Sequence, residues 1–294
     1  MDTDLIRTTR LTKSYGKARG IVDLDLAVRP GEVFGCLGPH GAGKTTTIRI
    51  LLDFIRPTTG SATIFGLDSH RDSLAIWRRL GYLPGELNLY DGMTGREFLR
   101  YMANLRKGVD WSRVEELAER LSANLTQPVR TLSHGNKQKL GLIQAFMHEP
   151  ELLILDEPTQ GLDPLVQHEF YRLVEKTLAV GCTVFLSSHV LPEVERTCDR
   201  VGIIRQGMLV AVEEIAGLKT KALRRLEIRF AAPPPLAAFV GLPGVRDLRV
   251  EDSSLHCKVA GSLDAVIKAA AQFEVQDVIS SEPSLEEVFL TYYA

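Results

Sequence analysis

A chain of 294 residues, 45 % hydrophobic and 24 % charged, has ordinary globular composition and room for one large domain plus a small one. Its 35 Lys and Arg nearly balance 37 Asp and Glu, so it lacks a bulk basic field for nucleic-acid phosphates, and no nucleic-acid partner is expected. No apolar run approaches the ~20 residues that cross a bilayer, and the acidic start Met1-Asp2-Thr3-Asp4 is unlike a secretory leader. Work at a membrane is therefore expected to go through a partner. Cys36, Cys182, Cys198 and Cys257 are too scattered for a disulfide frame or a zinc site.

Val22, Leu24, Leu26 and Val28 alternate with Asp23, Asp25 and Ala27, which predicts a half-buried strand over 21–28. Pro30-Gly31 turns the chain. Residues 32–37 then predict a buried strand running into a glycine-rich loop, followed by a helix over 45–54 that ends before Pro57. From about residue 86 to 150 the pattern is helical. There Thr94 and Glu97 form a capping box ahead of Phe98, Leu99, Tyr101, Met102 and Leu105. Two apolar runs, 152–155 and 183–186, each lead into polar residues, and their alternation with helices predicts a largely parallel, helix-covered sheet. Composition changes near Lys219, and Pro233-Pro234-Pro235 interrupts regular structure. The remainder predicts a strand over 226–230, a helix, and two strands around Asp252-Ser253-Ser254. A helix over 263–271 that includes Val266, Ile267 and Ala270, a strand and a last helix follow. The division expected is a domain of residues 1–218 and a small α+β domain of residues 219–294.

Gly38-Pro39-His40-Gly41-Ala42-Gly43-Lys44-Thr45 fits the phosphate-loop pattern of Gly, four residues and Gly-Lys-Thr, placed between a strand and a helix. Its glycines let successive N–H groups close around phosphates, and the helix that follows presents its positive end. Gly38 to Thr46 are expected to bind nucleotide, with Lys44 on the phosphate oxygens and the Thr45 hydroxyl on Mg²⁺. Asp156 and Glu157 end the buried run 152–155. A carboxylate there needs a compensating cation, so Asp156 is expected to hold Mg²⁺ through water, and Glu157 to act as general base.

These two motifs fit many nucleotide hydrolases; a third narrows the choice. Leu132-Ser133-His134-Gly135-Asn136-Lys137-Gln138-Lys139 resembles the Leu-Ser-Gly-Gly-Gln signature of the ABC ATPase family in its Leu, Ser and second Gly. Pro158, the D-loop-like Gly161-Leu162-Asp163-Pro164 and His189 after Ser187-Ser188 extend the resemblance, and Tyr15 lies where that family stacks a ring on adenine. The match spans about residues 5–215. It implies an α/β P-loop NTPase of the ABC cassette type with a helical subdomain over about 86–150. It also implies ATP and Mg²⁺ as cofactors and a head-to-tail dimer with a second copy of the chain. Lys44, Thr45, Asp156, Glu157 and His189 of one copy would then face Ser133 and Gly135 of the other, with His189 catalytic beside Glu157 and Asp163 near the nucleotide. Three departures stand out: His40 replaces an Asn, His134 a Gly, and Gly85 the Gln of the Q-loop. Glu86 is the residue expected to offer a carboxylate toward Mg²⁺ or a membrane partner; the alternative is an ordinary solvated loop acid.

Ser133 lies 89 residues after Lys44, which leaves no room for the long coiled coil of the DNA-repair and chromosome-organising relatives. The segment 283–290 and the run Gly135-Asn136-Lys137-Gln138-Lys139-Leu140 resemble ABC-2 type exporters of the drug and antibiotic resistance group. This implies a peripheral subunit at the cytoplasmic face of the membrane, powering export through a separate polytopic membrane subunit. The alternative is a non-transport ABC ATPase acting in assembly or regulation. Leu285, Val288, Phe289 and Tyr292 form a stripe on the last predicted helix, which either packs on its own domain or helps hold chains together.

Overall fold

The computed structural model describes residues 4–16, 18–221, 223–281 and 289. They form two compact units, Met1–Val212 and Glu213–Ala294. The expected boundary after residue 218 instead falls inside a helix, Ile215–Lys221.

The first unit begins with β1 (Ile6–Tyr15), β2 (Ala18–Leu24) and β3 (Ala27–Val28). The single strand expected over 21–28 is thus two. Leu24, Leu26 and Val28 are buried as the alternation requires, but Val22 is 45 % exposed and Ile21 is buried in its place. The cause is an irregularity in the pairing with β1, where Leu11 faces Leu24 but Lys13 faces Ile21, with Asp23 at φ 44°. The extra residue moves the side-chain phase by one position.

Next come β4 (Val33–Leu37), α1 (Lys44–Leu51), β5 (Thr59–Ile64) and β6 (Leu67–Asp68). Helix α1 stops short of residue 54: Asp53 turns to φ 59°, and the amides of Phe54 and Ile55 both return to the Arg49 carbonyl. Strands β2-β1-β5-β6, with β3 beside β1, make an antiparallel sheet.

After α2 (Ser73–Arg79) and β7 (Leu80–Leu83) come the helices α3 (Gly95–Arg106), α4 (Trp111–Arg120) and α5 (His134–Phe146). The capping box is present: Thr94 Oγ1 accepts from the Glu97 amide, and the Glu97 carboxylate accepts from the Thr94 amide at 2.8 Å. Helix α3 buries Gly95, Phe98, Leu99 and Ala103, so Tyr101 and Leu105, read in sequence as part of the apolar pattern, point outward. Tyr101 meets the exposed Tyr90 ring edge-on, with centroids 5.5 Å apart.

Strand β8 (Leu152–Asp156), α6 (Pro164–Ala179), β9 (Thr183–Ser188), α7 (Leu191–Thr197), β10 (Arg200–Arg205) and β11 (Met208–Glu214) complete a sheet of order β11-β10-β4-β9-β8-β7. Every pair from β10 through β4, β9 and β8 to β7 is parallel. All residues of β4, β8 and β9 are buried, as expected of strands covered on both faces.

The second unit holds α8 (Ile215–Lys221), β12 (Arg224–Phe230), β13 (Val245–Glu251), β14 (Ser254–Val259), α9 (Asp264–Ala270) and β15 (Val275–Ser281). Its antiparallel sheet, β13-β14-β12-β15, packs Leu226, Ile228, Phe230, Leu255 and Val259 against Phe239 and Val266. The helix expected after 230 is only a short turn, Leu236–Ala238, following the three prolines. On α9, Val266 and Ala270 are buried while Ile267 is 40 % exposed. The helix expected over 284–294 lies outside the described residues except Phe289, which is buried. Among the described residues, no helix is long and apolar enough to cross a membrane.

One half-buried imidazole ties the helical region to the sheet. His148, just beyond α5, bonds the Leu80 carbonyl through Nε2 at 3.1 Å, while Arg106 of α3 donates to the Trp77 carbonyl at 2.8 Å. A carbonyl only accepts, so Nε2 carries the proton, and the buried Nδ1 has no partner. Burial, reinforced by the Arg106 cation, pushes the imidazole down to about 4. The folded pKa is below the unfolded one, so the stability tied to this neutral ring is full above pH 7. It falls as pH drops from about 6.5 toward 4, where the unfolded chain binds the extra proton. The prediction is that His148 resonances stay at the neutral position down to pH 5 in an NMR titration of the folded protein. An ordinary midpoint near 6.5 would show that the ring is not so held.

Candidate active site

Residues at the carboxyl edge of the parallel sheet meet because β4, β9 and β8 are in register: Leu37 pairs with Ser188, and Asp156 with Ser187. The Gly38 amide continues the pairing to the Ser188 carbonyl at 3.3 Å. Three chain segments far apart in sequence therefore end side by side, the loop before α1, Asp156-Glu157 and Ser188-His189.

The loop needs its glycines. Gly41 and Gly43 have φ 75° and 114°, the left-handed region closed to most side chains, and a Cβ on Gly38 would lie 2.3 Å from the Ile204 carbonyl oxygen. Gly43 caps α1 without any side-chain bond, so the first-turn amides of that helix face outward, an arrangement that favours an anion. Lys44 is 5 % exposed. Its ammonium donates to the carbonyls of Gly38 at 2.6 Å and Pro39 at 3.2 Å, and lies 3.3 Å from Glu157 Oε1.

Glu157 is held at φ 50°. Its amide reaches the Ser187 carbonyl and hydroxyl, each at 3.2 Å, and its carbonyl accepts from the Gln138 side chain through Nε2 at 3.2 Å. A strained backbone angle persists where neighbours over-determine it, and these bonds do so. The carboxylate then faces Lys44 through Oε1 and His189 Nδ1 through Oε2, the latter at 2.7 Å. The His189 ring packs against His40, centroids 4.4 Å apart. Asp156 is buried and accepts from the Ser187 hydroxyl. Burial and the Asp156 charge push the nearby Tyr82 phenol up to about 12, so it stays protonated.

A cleft of about 460 Å³ opens here. Of the residues expected to bind nucleotide or metal, His40, Gly41, Ala42, Gly43, Lys44, Thr45, Thr46 and Asp156 line it, together with Glu157 and Glu86. Gly38 and Pro39 lie behind, holding Lys44. Arg49, Tyr82, Asn88 and Gln160 also line it and were not anticipated. Arg49 was within reach of sequence reading, since it stands one helical turn after Thr45 on the same face. Gly85 presses on the site: a Cβ there would lie 3.2 Å from Asp156 Oδ2, so the glycine lets the 84–86 loop approach the carboxylate.

Tyr15, Ser133, Gly135 and Asp163 do not line this cleft. Tyr15 is half exposed at the end of β1, under the Lys13 ammonium at 5.4 Å. Its partner strand β2 does reach the loop, since a Cβ on Gly43 would lie 2.7 Å from Ile21. The exposed Ser133 hydroxyl caps α5, accepting from the Asn136 amide at 3.3 Å. Asp163 caps α6, accepting from the Val166 amide at 3.0 Å, and lies 3.9 Å from Lys139. Gly135 is where α5 meets the loop before α6, because a Cβ there would stand 2.5 Å from the Gly161 carbonyl oxygen. We therefore expect Gly135→Ala to cost about 1–3 kcal/mol of stability in urea unfolding of the isolated chain. An unchanged midpoint would mean that the two segments part freely.

A family model described as ABC transporter matches residues 21–160. The bacitracin transport ATP-binding protein BcrA of Bacillus licheniformis is 36 % identical, over 97 % of this chain and 96 % of that protein. The linearmycin resistance ATP-binding protein LnrL of Bacillus subtilis is 32 % identical, over 97 % of each. Among solved structures, an ATP-binding subunit of an ABC transporter superposes with TM-score 0.66 and 31 % identity, covering 73 % of this chain and 92 % of that one. The chain thus belongs to the ATP-binding proteins of ABC transporters and is an ATP-binding, ATP-hydrolysing subunit of that family.

Proposed function

We propose that this subunit powers export of an antibiotic through a separate polytopic membrane subunit, standing at the cytoplasmic face of the membrane. The observation that carries the reading is the extent of the likeness. Identity to the bacitracin and linearmycin proteins runs over 97 % of this chain, through the second unit, whereas solved cassettes cover 71–73 % of it. The ATPase core is common to many transporters; likeness that continues through the appended unit is what this chain has with these two proteins.

In this reading the loop amides and Lys44 bind the β- and γ-phosphates, and Tyr15 stacks on adenine. Thr45 and Asp156, the latter through water, hold Mg²⁺. The site fits that ion: Asp156 is a buried carboxylate whose Oδ2 is approached by a glycine and not a side chain. When bound, the ion neutralises charge on the phosphates. Glu157 is the general base. His189, bonded to Glu157 Oε2, orients the carboxylate and so fixes the lone pair that takes the water's proton. The phosphate loop sees only one wall of the nucleotide. Ser133, the Gly135 amide and Asp163 of a second copy close the other, which makes closure depend on the γ-phosphate. Glu86 faces the cleft from the 84–86 loop, placed to sense either the ion or the membrane subunit.

Glu157→Gln should keep ATP binding and lower turnover by roughly 100-fold or more, because the amide cannot accept a proton. Lys44→Ala should lose binding as well. Near-normal turnover of Glu157→Gln would remove Glu157 from the chemistry. For export, the chain should co-purify with a polytopic membrane protein encoded beside it. The ATPase rate of that complex should rise with bacitracin or linearmycin, and a complex unresponsive to both would contradict the cargo class.

A further inference from the structure

Glu193, on α7, is 2 % exposed, yet nothing in the proposed chemistry uses it. Its Oε2 accepts from the Ser188 hydroxyl, and that hydroxyl oxygen in turn accepts from the Val190 amide at 2.9 Å. Ser188 and Val190 flank His189, whose ring holds Glu157. The acid is therefore wired through one hydroxyl to the backbone on both sides of the histidine.

We propose that Glu193 is a positioning residue for ATP hydrolysis, its buried carboxyl setting, through Ser188, the loop that presents His189 to Glu157. The proposal rests on the reading of Glu157 and His189 as the catalytic pair. With Glu193 ionised, the bonds run one way: the Val190 amide donates to Ser188, and Ser188 donates to the carboxylate, each bond polarising the next. With Glu193 protonated, the carboxyl donates to the Ser188 oxygen, and the hydroxyl hydrogen turns to the Val190 carbonyl, 3.4 Å away. The first arrangement grips the Val190 amide more strongly and holds His189 in place; the second loosens it.

The surroundings put this change within reach of neutral pH. Burial pushes the carboxyl up to about 7, opposed by the Ser188 and Thr159 hydroxyls. Among the charges, Glu157 disfavours ionisation and His189 favours it. Tyr171 of α6 and Cys198 beyond α7 are both pushed up by burial and by this carboxyl, so they stay neutral, while Arg196 lies over the Tyr171 ring. Strand β4 meets this region through Gly35, against Val194 and Cys198.

The test compares kcat of the full chain with that of Glu193→Gln, which keeps the shape and mimics the neutral acid, from pH 6 to 8. Groups common to both proteins cancel in the ratio. The ratio of wild type to E193Q should rise with pH by up to about tenfold through a midpoint near 7, following the ionised fraction of one group. ATP affinity of the two should agree within about twofold, since the phosphate loop is untouched. Ser188→Ala, which removes the connecting hydroxyl, should flatten the wild-type profile in the same way. As a readout independent of turnover, the melting temperature of E193Q should gain on wild type as pH rises from 5.5 to 8, because the charge costs stability only when ionised. A ratio flat with pH, or equal losses of affinity and kcat at every pH, would overturn the proposal whatever the melting temperatures do. Glu157→Gln tells the two ideas apart: if it is inactive while the E193Q ratio is flat, only the role of Glu193 falls.

Discussion

The register of three parallel strands is the constraint on which the rest of the site depends. Pairing Leu37 with Ser188 and Asp156 with Ser187 ends β4, β8 and β9 at one level. A slip of one residue would turn Asp156 to the other face of the sheet and bring Glu157 into its place. It would also strand Lys44, whose buried ammonium relies on two carbonyls and on Glu157 for compensation. The strands are buried on both faces, so their apolar side chains hold that register firmly. The geometry of the proposed site is thus a by-product of core packing.

The parts of the site legible in the sequence are those written in consecutive residues. The glycine-rich loop needs φ values that only glycine adopts freely, so its pattern survives as letters; the acidic pair at a strand end is as plain. What pairing decides was hidden. Ser187 could not be assigned to Asp156 without the β8–β9 register, and the irregularity at Asp23 arises only from pairing with β1. Glu193 looks in sequence like any helical acid, and only tertiary structure shows it buried. In the second unit, strands of strong alternation were readable. The segment after Phe230 was not, because three prolines leave too few amides for a helix and a short turn serves instead.

Ser133, Gly135 and Asp163 illustrate a further reason why motif and geometry differ. Within one chain each has a local task, capping α5, admitting the Gly161 carbonyl and capping α6. Those tasks bring the two helix starts together into one stiff edge. A surface so built can serve a second copy without rearranging, which suits residues whose ligand arrives only on association. The same residues thus carry a folding role inside the chain and, in the proposed head-to-tail pair, a phosphate-binding role across the dimer.

The most direct test of that shared site is a mixing experiment between two inactive variants, Lys44→Ala and Ser133→Arg. In a head-to-tail pair, each site takes Lys44 from one chain and Ser133 from the other. A mixed pair therefore contains one intact site and one doubly altered site. A shared site predicts that an equimolar mixture recovers ATP hydrolysis, up to about a quarter of the wild-type rate, since half the pairs are mixed and each has one working site of two. A mixture as inactive as its components would contradict a site shared between two chains.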